Sequence, residues 1–358
     1  MSDASNNIVI TAMGALTPVG ANVEKSCAAI KAGINRINEH SYYECTPEDP
    51  EWDDTLPLFV ADVPAIDPFT DGPERLMELA LPVLNEVMGK AKLKRADLDE
   101  CGLMLSLPQP DAAIDSMQLN SRFVPELCKR TGLTTLKLWK TSQTGHTGVF
   151  ALVQNACQKL ANGDLQFCVV GGVDSYLLEA RLDVLDAAWR IRTERNVDGF
   201  IPGEAAVMLM LETQAHATAR GATILARITH IGEGTEPEAY HSKKNSTGTG
   251  LSTALDTAIP KNSSAKPIQE VYCSLNGESY YAFEWGLALV RLNTAFEGLK
   301  HLHHPAENCG DVGAATGGLL MACAAQNLSK IKQSDAQSLL WTASDNGHRM
   351  ALTLQGQG

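Results

Sequence analysis

The sequence predicts an α/β fold whose sheets are covered by helices on both faces, and three observations carry that prediction. Between residues 148 and 213, helical "GVFALVQNACQKLANG" is followed by the strand "LQFCVVGGV", helical "LLEARLDVLDAAWRI" and the strand "AVMLMLET". Strands that are apolar along their whole length need cover on each side, which alternating helices supply. Strands and helices then recur in a similar order beyond residue 220, which suggests an old duplication with weak residue-level self-similarity. Finally, 358 residues with 44% hydrophobic and 20% charged side chains suit two packed halves, and exclude disorder as the main state.

Taken in order, "NIVITAMG" reads as a buried strand, and Pro18 and Gly20 make the turn after it. "NVEKSCAAIKAG" has helical spacing and stops at Gly33, a C-cap. Residues 40–71 are acidic and proline-rich, so they are expected to form loop. "PERLMELALPVLNEVMGKA" is an amphipathic helix, "CGLMLSLP" a buried strand, and "SMQLNSRFVPELCKRTG" a second helix leading into "TSQTGHTGVF" at 141–150. In the second part, "ATILARITHIGEG" and "EVYCSLNG" are strands, while "LSTALDTAI", "AFEWGLALVRLNTAFEG" and "GAATGGLLMACAAQNL" are helices. "SLLWTASDNGHRMALTLQ" closes the chain as a hairpin turning at Asn346-Gly347.

A formal charge of −13 argues against nucleic acid or an anionic membrane surface as partner. The run Lys90, Lys92, Lys94 and Arg95 is read as a solvated helix end rather than a docking patch. Nine cysteines form no CxxC pair and no zinc spacing, as expected of reduced core cysteines in a cytoplasmic protein. No secretory signal and no stretch of about 18 uninterrupted apolar residues is visible, so no membrane span is expected. "HLHH" at 301–304 places two adjacent histidines with no acid or thiol at ligand spacing. It is read as a solvated loop, and neither metal nor cofactor is expected.

Four stretches together resemble the β-ketoacyl synthases of the thiolase (condensing-enzyme) superfamily. They are "VITAMGALTPVG" at 9–20, "LANGDLQFCVVGGVDSY" at 160–176, "DGFIPGEAAVMLMLE" at 198–212 and "ARGATILARITHIG" at 219–232; "EAYH" at 238–241 also fits. The resemblance covers nearly the whole chain in order. It implies a thiolase-like five-layer α-β-α-β-α fold of two similar halves, residues 1–220 and 221–358. It also implies a homodimer, paired through strand 165–172 of each copy.

The chemistry of that family needs a cysteine at a helix N-terminus and two histidines that assist decarboxylation and steady the enolate. Counting back from Gly163 and Gly171-Gly172 puts His146 at the cysteine position. Asn276 of "NGES" and Asp311 of "GDVGAATGG" stand at the two histidine positions, and "DNGHRM" at 345–350 replaces the glycine-rich oxyanion turn. The resemblance therefore implies a degenerate site. Three readings of His146 stay open: a general base oriented by Asp311, a structural histidine bonded to Asp311 or Asn276, or a side chain facing an emptied acyl pocket. The positive end of the following helix predicts a neutral imidazole at pH 7. Cys309, two residues from Asp311, is an alternative nucleophile, although a neighbouring carboxylate weakens it. Cys157 lies three turns down the helix in the core, and Glu204 is expected to be a structural acceptor.

Two functional classes follow. One is a non-catalytic subunit that binds an acyl-carrying ligand, pairs with a protein partner, or serves as scaffold, adaptor or chaperone. The other is an acyltransferase or thioester hydrolase using His146 with Asp311. A plugged pocket favours the first; an apolar tunnel with a hydroxyl beside His146 favours the second.

Overall fold

The computed structural model describes residues 8–46, 54–111, 116–261, 268–331 and 336–357. The first half runs β1 (Ile8–Leu16), α1 (Val23–Lys31), β2 (Asn38–Cys45), β3 (Leu56–Val60), α2 (Gly72–Ala91), β4 (Cys101–Ser106) and α3 (Ser116–Thr131). It continues with β5 (Leu138–Ser142), α4 (Gly148–Ala161), β6 (Phe167–Ser175), α5 (Glu179–Ala187), β7 (Glu204–Thr213) and α6 (Gln214–Ala219). The second half holds β8 (Ala226–Thr235), α7 (Thr249–Ala258), β9 (Glu270–Cys273), α8 (Ser279–Arg291) and α9 (Asn293–Phe296). After β10 (His301–His303) and α10 (Ala306–Cys309) come α11 (Thr316–Leu328), β11 (Gln337–Ala343) and β12 (His348–Gln355).

Strand order mirrors about the middle of the chain. One set reads β1-β7-β6-β4-β5 and the other β8-β12-β11-β9-β10. The two sets are not separate sheets as expected. Ile8, Val9 and Ile10 pair with Ile228, Arg227 and Ala226, so all ten strands form one continuous hydrogen-bonded sheet that carries helices between its two wings.

Three apolar clusters define the layers. The central one joins α4 and α11 to inward side chains of both strand sets, among them Ile10, Val170, Leu209, Leu340 and Leu352. A second packs α2 and α3 on the outer face of β1, β4, β6 and β7; a third packs α7 and α8 on the outer face of β9, β11 and β12. The arrangement is helix, strands, helices, strands, helix. Helix α11 is buried over nearly its whole surface because "TGGLLMACAA" carries no large polar side chain on any side.

Several expectations need correction. Residues 40–71 are not all loop: β2 and β3 form a small antiparallel sheet. Its residues alternate too little for period-2 reading, and most of β2 is exposed. "HLHH" is not wholly a solvated loop, since His301, Leu302 and His303 pair in parallel with Glu270, Val271 and Tyr272. The strand preceding His146, β5, went unread because five residues ending in Lys-Thr-Ser carry no apolar period. The largest correction concerns the dimer strand. β6 is flanked by β4 on one side and β7 on the other, so both of its edges are occupied within the chain. Residues 165–172 cannot pair with a second copy. The open edge of this wing is β5, which pairs with β4 alone among the described residues.

The hairpin β11–β12 turns at Asn346-Gly347 as expected, with Gly347 at φ 89°. At the end of α2, Lys90 contacts Glu24 and Glu86 at 2.6 Å each, and Lys92 and Lys94 are exposed.

Candidate functional site

The turn that carries His146 is built by local sequence. Gly145 has φ 65°, a left-handed conformation, and a Cβ there would stand 2.6 Å from Gln109 Oε1. Gly145–Thr147 form one 3₁₀ turn, and α4 starts at Gly148. On the facing side Gly310 and Gly313, also at positive φ, carry the chain through Asp311 into a second 3₁₀ turn and α11. Gly172 lets β6 approach the second of these turns, because a Cβ on it would lie 2.1 Å from Ala314 O. The starts of α4 and α11 therefore converge beside the C-terminal end of β6.

There, His146 Nε2 donates to Asp311 Oδ1 at 2.7 Å, and both side chains are buried. Asp311 Oδ1 also accepts from Gly313 N at 2.8 Å, and its Oδ2 accepts from Asn276 Nδ2 at 2.8 Å. All three positions singled out in the sequence thus meet in one contact chain.

The chain continues into residues to which sequence reading assigned no role. Asn276 Nδ2 donates to Glu278 Oε2 at 3.0 Å, and Glu278 receives Arg190 through two bonds of 2.9 and 2.7 Å. Arg190 also binds Asp345 at 2.6 Å, and the Tyr281 hydroxyl donates to Asp345. Tyr240, from "EAYH", donates to Glu278 at 2.9 Å and lies 4.2 Å under the Arg190 guanidinium. Asp345 belongs to the turn between β11 and β12, so that turn is tied into an ion-pair network. A second carboxylate, Asp174, accepts from Ala314 N at 2.7 Å and from Arg181 at 2.5 Å. Asp311 and Asp174 together satisfy the amides at the start of α11, where negative charge is favoured.

Electrostatics follow from this packing. Burial alone would raise the Asp311 carboxyl, but the His146 charge, the Asn276 bond and the Gly313 amide outweigh it and hold it at about 2. Burial would push the His146 imidazolium down, yet the Asp311 charge and hydrogen bond overcome it, and the net shift is upward from the ordinary 6.5. The expectation that the helix dipole draws the imidazole downward is therefore corrected. An anionic partner at 2.7 Å outweighs the dipole of the helix that follows. Asp174 moves the other way, its burial raising it in spite of Arg181.

Beyond Asp311 little room remains. The cavity bounded by Ser274, Asn276, Gly310, Asp311 and Thr316 has a volume of about 10 Å³, enough for one water at most. Ser106 Oγ, packed against Gly148, has no partner among the described residues, whereas the hydroxyls at 142, 144, 147 and 279 are engaged elsewhere. Ser142 bonds Thr144, Thr147 bonds Ser344 and His348, and Ser279 bonds Asp198. Cys309, the alternative nucleophile, is fully buried, and burial pushes its thiol up to about 12. Cys157 is likewise buried and pushed up to about 12. Glu204 accepts from Arg75, Val63 N and Ser175, the structural role expected of it. Among the described residues no group of three His, Cys, Asp or Glu side chains could hold a metal, and no helix is long and apolar enough to cross a membrane.

Comparison with known proteins fits this architecture. Residues 141–217 match the family model "Beta-ketoacyl synthase, N-terminal domain". The 3-oxoacyl-[acyl-carrier-protein] synthase 2 of Staphylococcus aureus (strain N315) is 24% identical over 349 residues, covering 88% of this chain and 84% of that protein. Two solved structures superpose over nearly the full length at 16% identity. They are the AntDE:AntF type II PKS acyl-carrier protein in complex with its ketosynthase bound to the hexaketide (TM-score 0.79) and the ishigamide ketosynthase/chain length factor (TM-score 0.74). Each covers 99% of this chain and is itself covered over 100% of its length. The fold is thiolase-like. The chain is a β-ketoacyl synthase-like protein.

Proposed function

We propose that this chain is a non-catalytic β-ketoacyl synthase-like subunit, serving as a binding, scaffold or adaptor component and unable to carry out decarboxylative condensation. One observation carries the reading. At the nucleophile position stands an imidazole held 2.7 Å from a buried carboxylate, and the void that this carboxylate lines with Asn276 is about 10 Å³. With Nε2 committed to Asp311 and the ring buried, the imidazole is not presented to a thioester. Asn276 and Asp311 occupy the places of the two histidines, and a carboxylate repels the enolate that condensation must form.

The same proposal covers organisation and assembly. The halves 1–220 and 221–358 are read as duplicated units. A second copy pairs through the open edge of β5, where Trp139 is exposed. The similar ishigamide protein is a ketosynthase/chain length factor and AntDE:AntF is a complex with an acyl-carrier protein, so a protein partner or acyl-carrying ligand belongs to the reading. The location is cytoplasmic, and the −13 charge speaks against nucleic acid and anionic membranes.

The competing acyltransferase or hydrolase reading rests on the His146–Asp311 dyad itself. It lacks a free hydroxyl among Ser142, Thr144, Thr147 and Ser279. The test is a condensation assay with acyl and malonyl thioesters on the wild type and His146→Cys. Neither should form a β-ketoacyl product, because Asn276 and Asp311 remain unchanged. Product from either protein would refute the proposal.

A further inference from the structure

On the outer face of the sheet, helices α2 and α3 enclose with Leu178 a cavity of about 460 Å³. Its floor is apolar and buried, made by Leu76, Met77, Leu119, Phe123 and Leu178. Its rim carries Glu74, Glu126, Arg122 and Arg130. Arg130 binds Glu74 at 2.6 Å and Glu126 at 2.9 Å, and Lys129 lies 3.8 Å from Glu126, so two cations match the two acids. Arg122 is exposed and has no carboxylate partner among the described residues. None of these side chains joins the His146 network.

A volume of this size falls within the range of about 300–1,000 Å³ typical of small-molecule sites. Apolar walls favour a hydrocarbon body, and one unmatched guanidinium at the mouth favours an anionic head that it can meet with two parallel hydrogen bonds. We propose that this cavity binds an apolar anion, an alkyl chain with a carboxylate or phosphate head held by Arg122. The site is independent of the pair at His146, and its occupancy does not depend on whether that pair is catalytic.

The experiment is calorimetric titration of the intact protein with dodecanoate and, separately, dodecyl phosphate, each below its micellar concentration. One saturable site for either anion is expected, and which head binds more tightly assigns the source. Decanol should bind at least tenfold more weakly, and decyltrimethylammonium should give no saturation. Arg122→Ala should weaken the anion at least tenfold and leave decanol unchanged, with an unaltered melting temperature showing that the exposed substitution is tolerated. Leu119→Trp, filling the floor, should abolish binding of both anion and alcohol. No saturable binding by either anion, equal binding of the ammonium amphiphile, or anion affinity indifferent to Arg122→Ala would overturn the proposal.

Discussion

Replacing His146 with Gln removes the cation opposite Asp311 and leaves a buried carboxylate without its counter-charge. Losing one partner of a buried ion pair costs about 3–5 kcal/mol, against under 1 kcal/mol for an exposed pair. Urea unfolding of His146→Gln should fall in that upper range. The pH dependence has a definite sign. His146 is shifted up from 6.5, so its contribution is complete below pH 6.5 and is lost as pH rises through its folded value. Asp311 is shifted down from 3.8 to about 2, so its contribution is complete above pH 3.8 and is lost as pH falls toward 2. The stability gap between wild type and His146→Gln should therefore be widest between about pH 4 and 6.5 and narrow on both sides. A gap that widened steadily up to pH 9 would contradict the ion pair.

At the scale of elements, the meeting of α4 and α11 depends on close approach at β6. Gly172→Ala places a methyl 2.1 Å from Ala314 O, a backbone atom that cannot swing aside. Overpacking of this kind costs about 1–3 kcal/mol, and thermal unfolding should show it as a lowered melting temperature. A wild-type melting temperature in Gly172→Ala would mean that β6 and the start of α11 do not abut there. The sequence makes α2, α4, α11 and β6 legible because each repeats apolar residues at a helical or continuous spacing over nine or more positions. It does not disclose β5 or β10, whose five and three residues are too short for any period, nor β2, whose side chains are mostly exposed. Those strands exist because a neighbouring strand offers unpaired backbone groups, and that is a tertiary fact.

For the whole molecule, the same distinction explains which parts of the site could be read. His146, Asn276 and Asp311 were recoverable because each sits at a fixed distance from a glycine landmark in its own segment. The link from Glu278 and Asp345, which lie in the quoted "NGES" and "DNGHRM", to Arg190 was not, since Arg190 meets them 88 and 155 positions away with no local pattern to announce it. The dimer strand was misplaced for a related reason. An apolar, uncharged run such as "FCVVGG" marks a central strand, whereas an edge open to a second copy is the one carrying Trp139 and Lys140. Light scattering at micromolar concentration should therefore give a dimer, and Trp139→Glu, which brings like charges together across the two-fold axis, should give a folded monomer. A dimer indifferent to Trp139→Glu would place the contact elsewhere.

The central claim is that the nucleophile position holds a closed ion pair instead of a reactive group. Intact-mass measurement of the wild-type protein after incubation with an acyl thioester tests it most directly. The ion-pair account predicts an unchanged mass, with thioester consumed no faster than in buffer and no slower with His146→Ala. An added acyl group mapped to His146, or thioester turnover that His146→Ala abolishes, would contradict it.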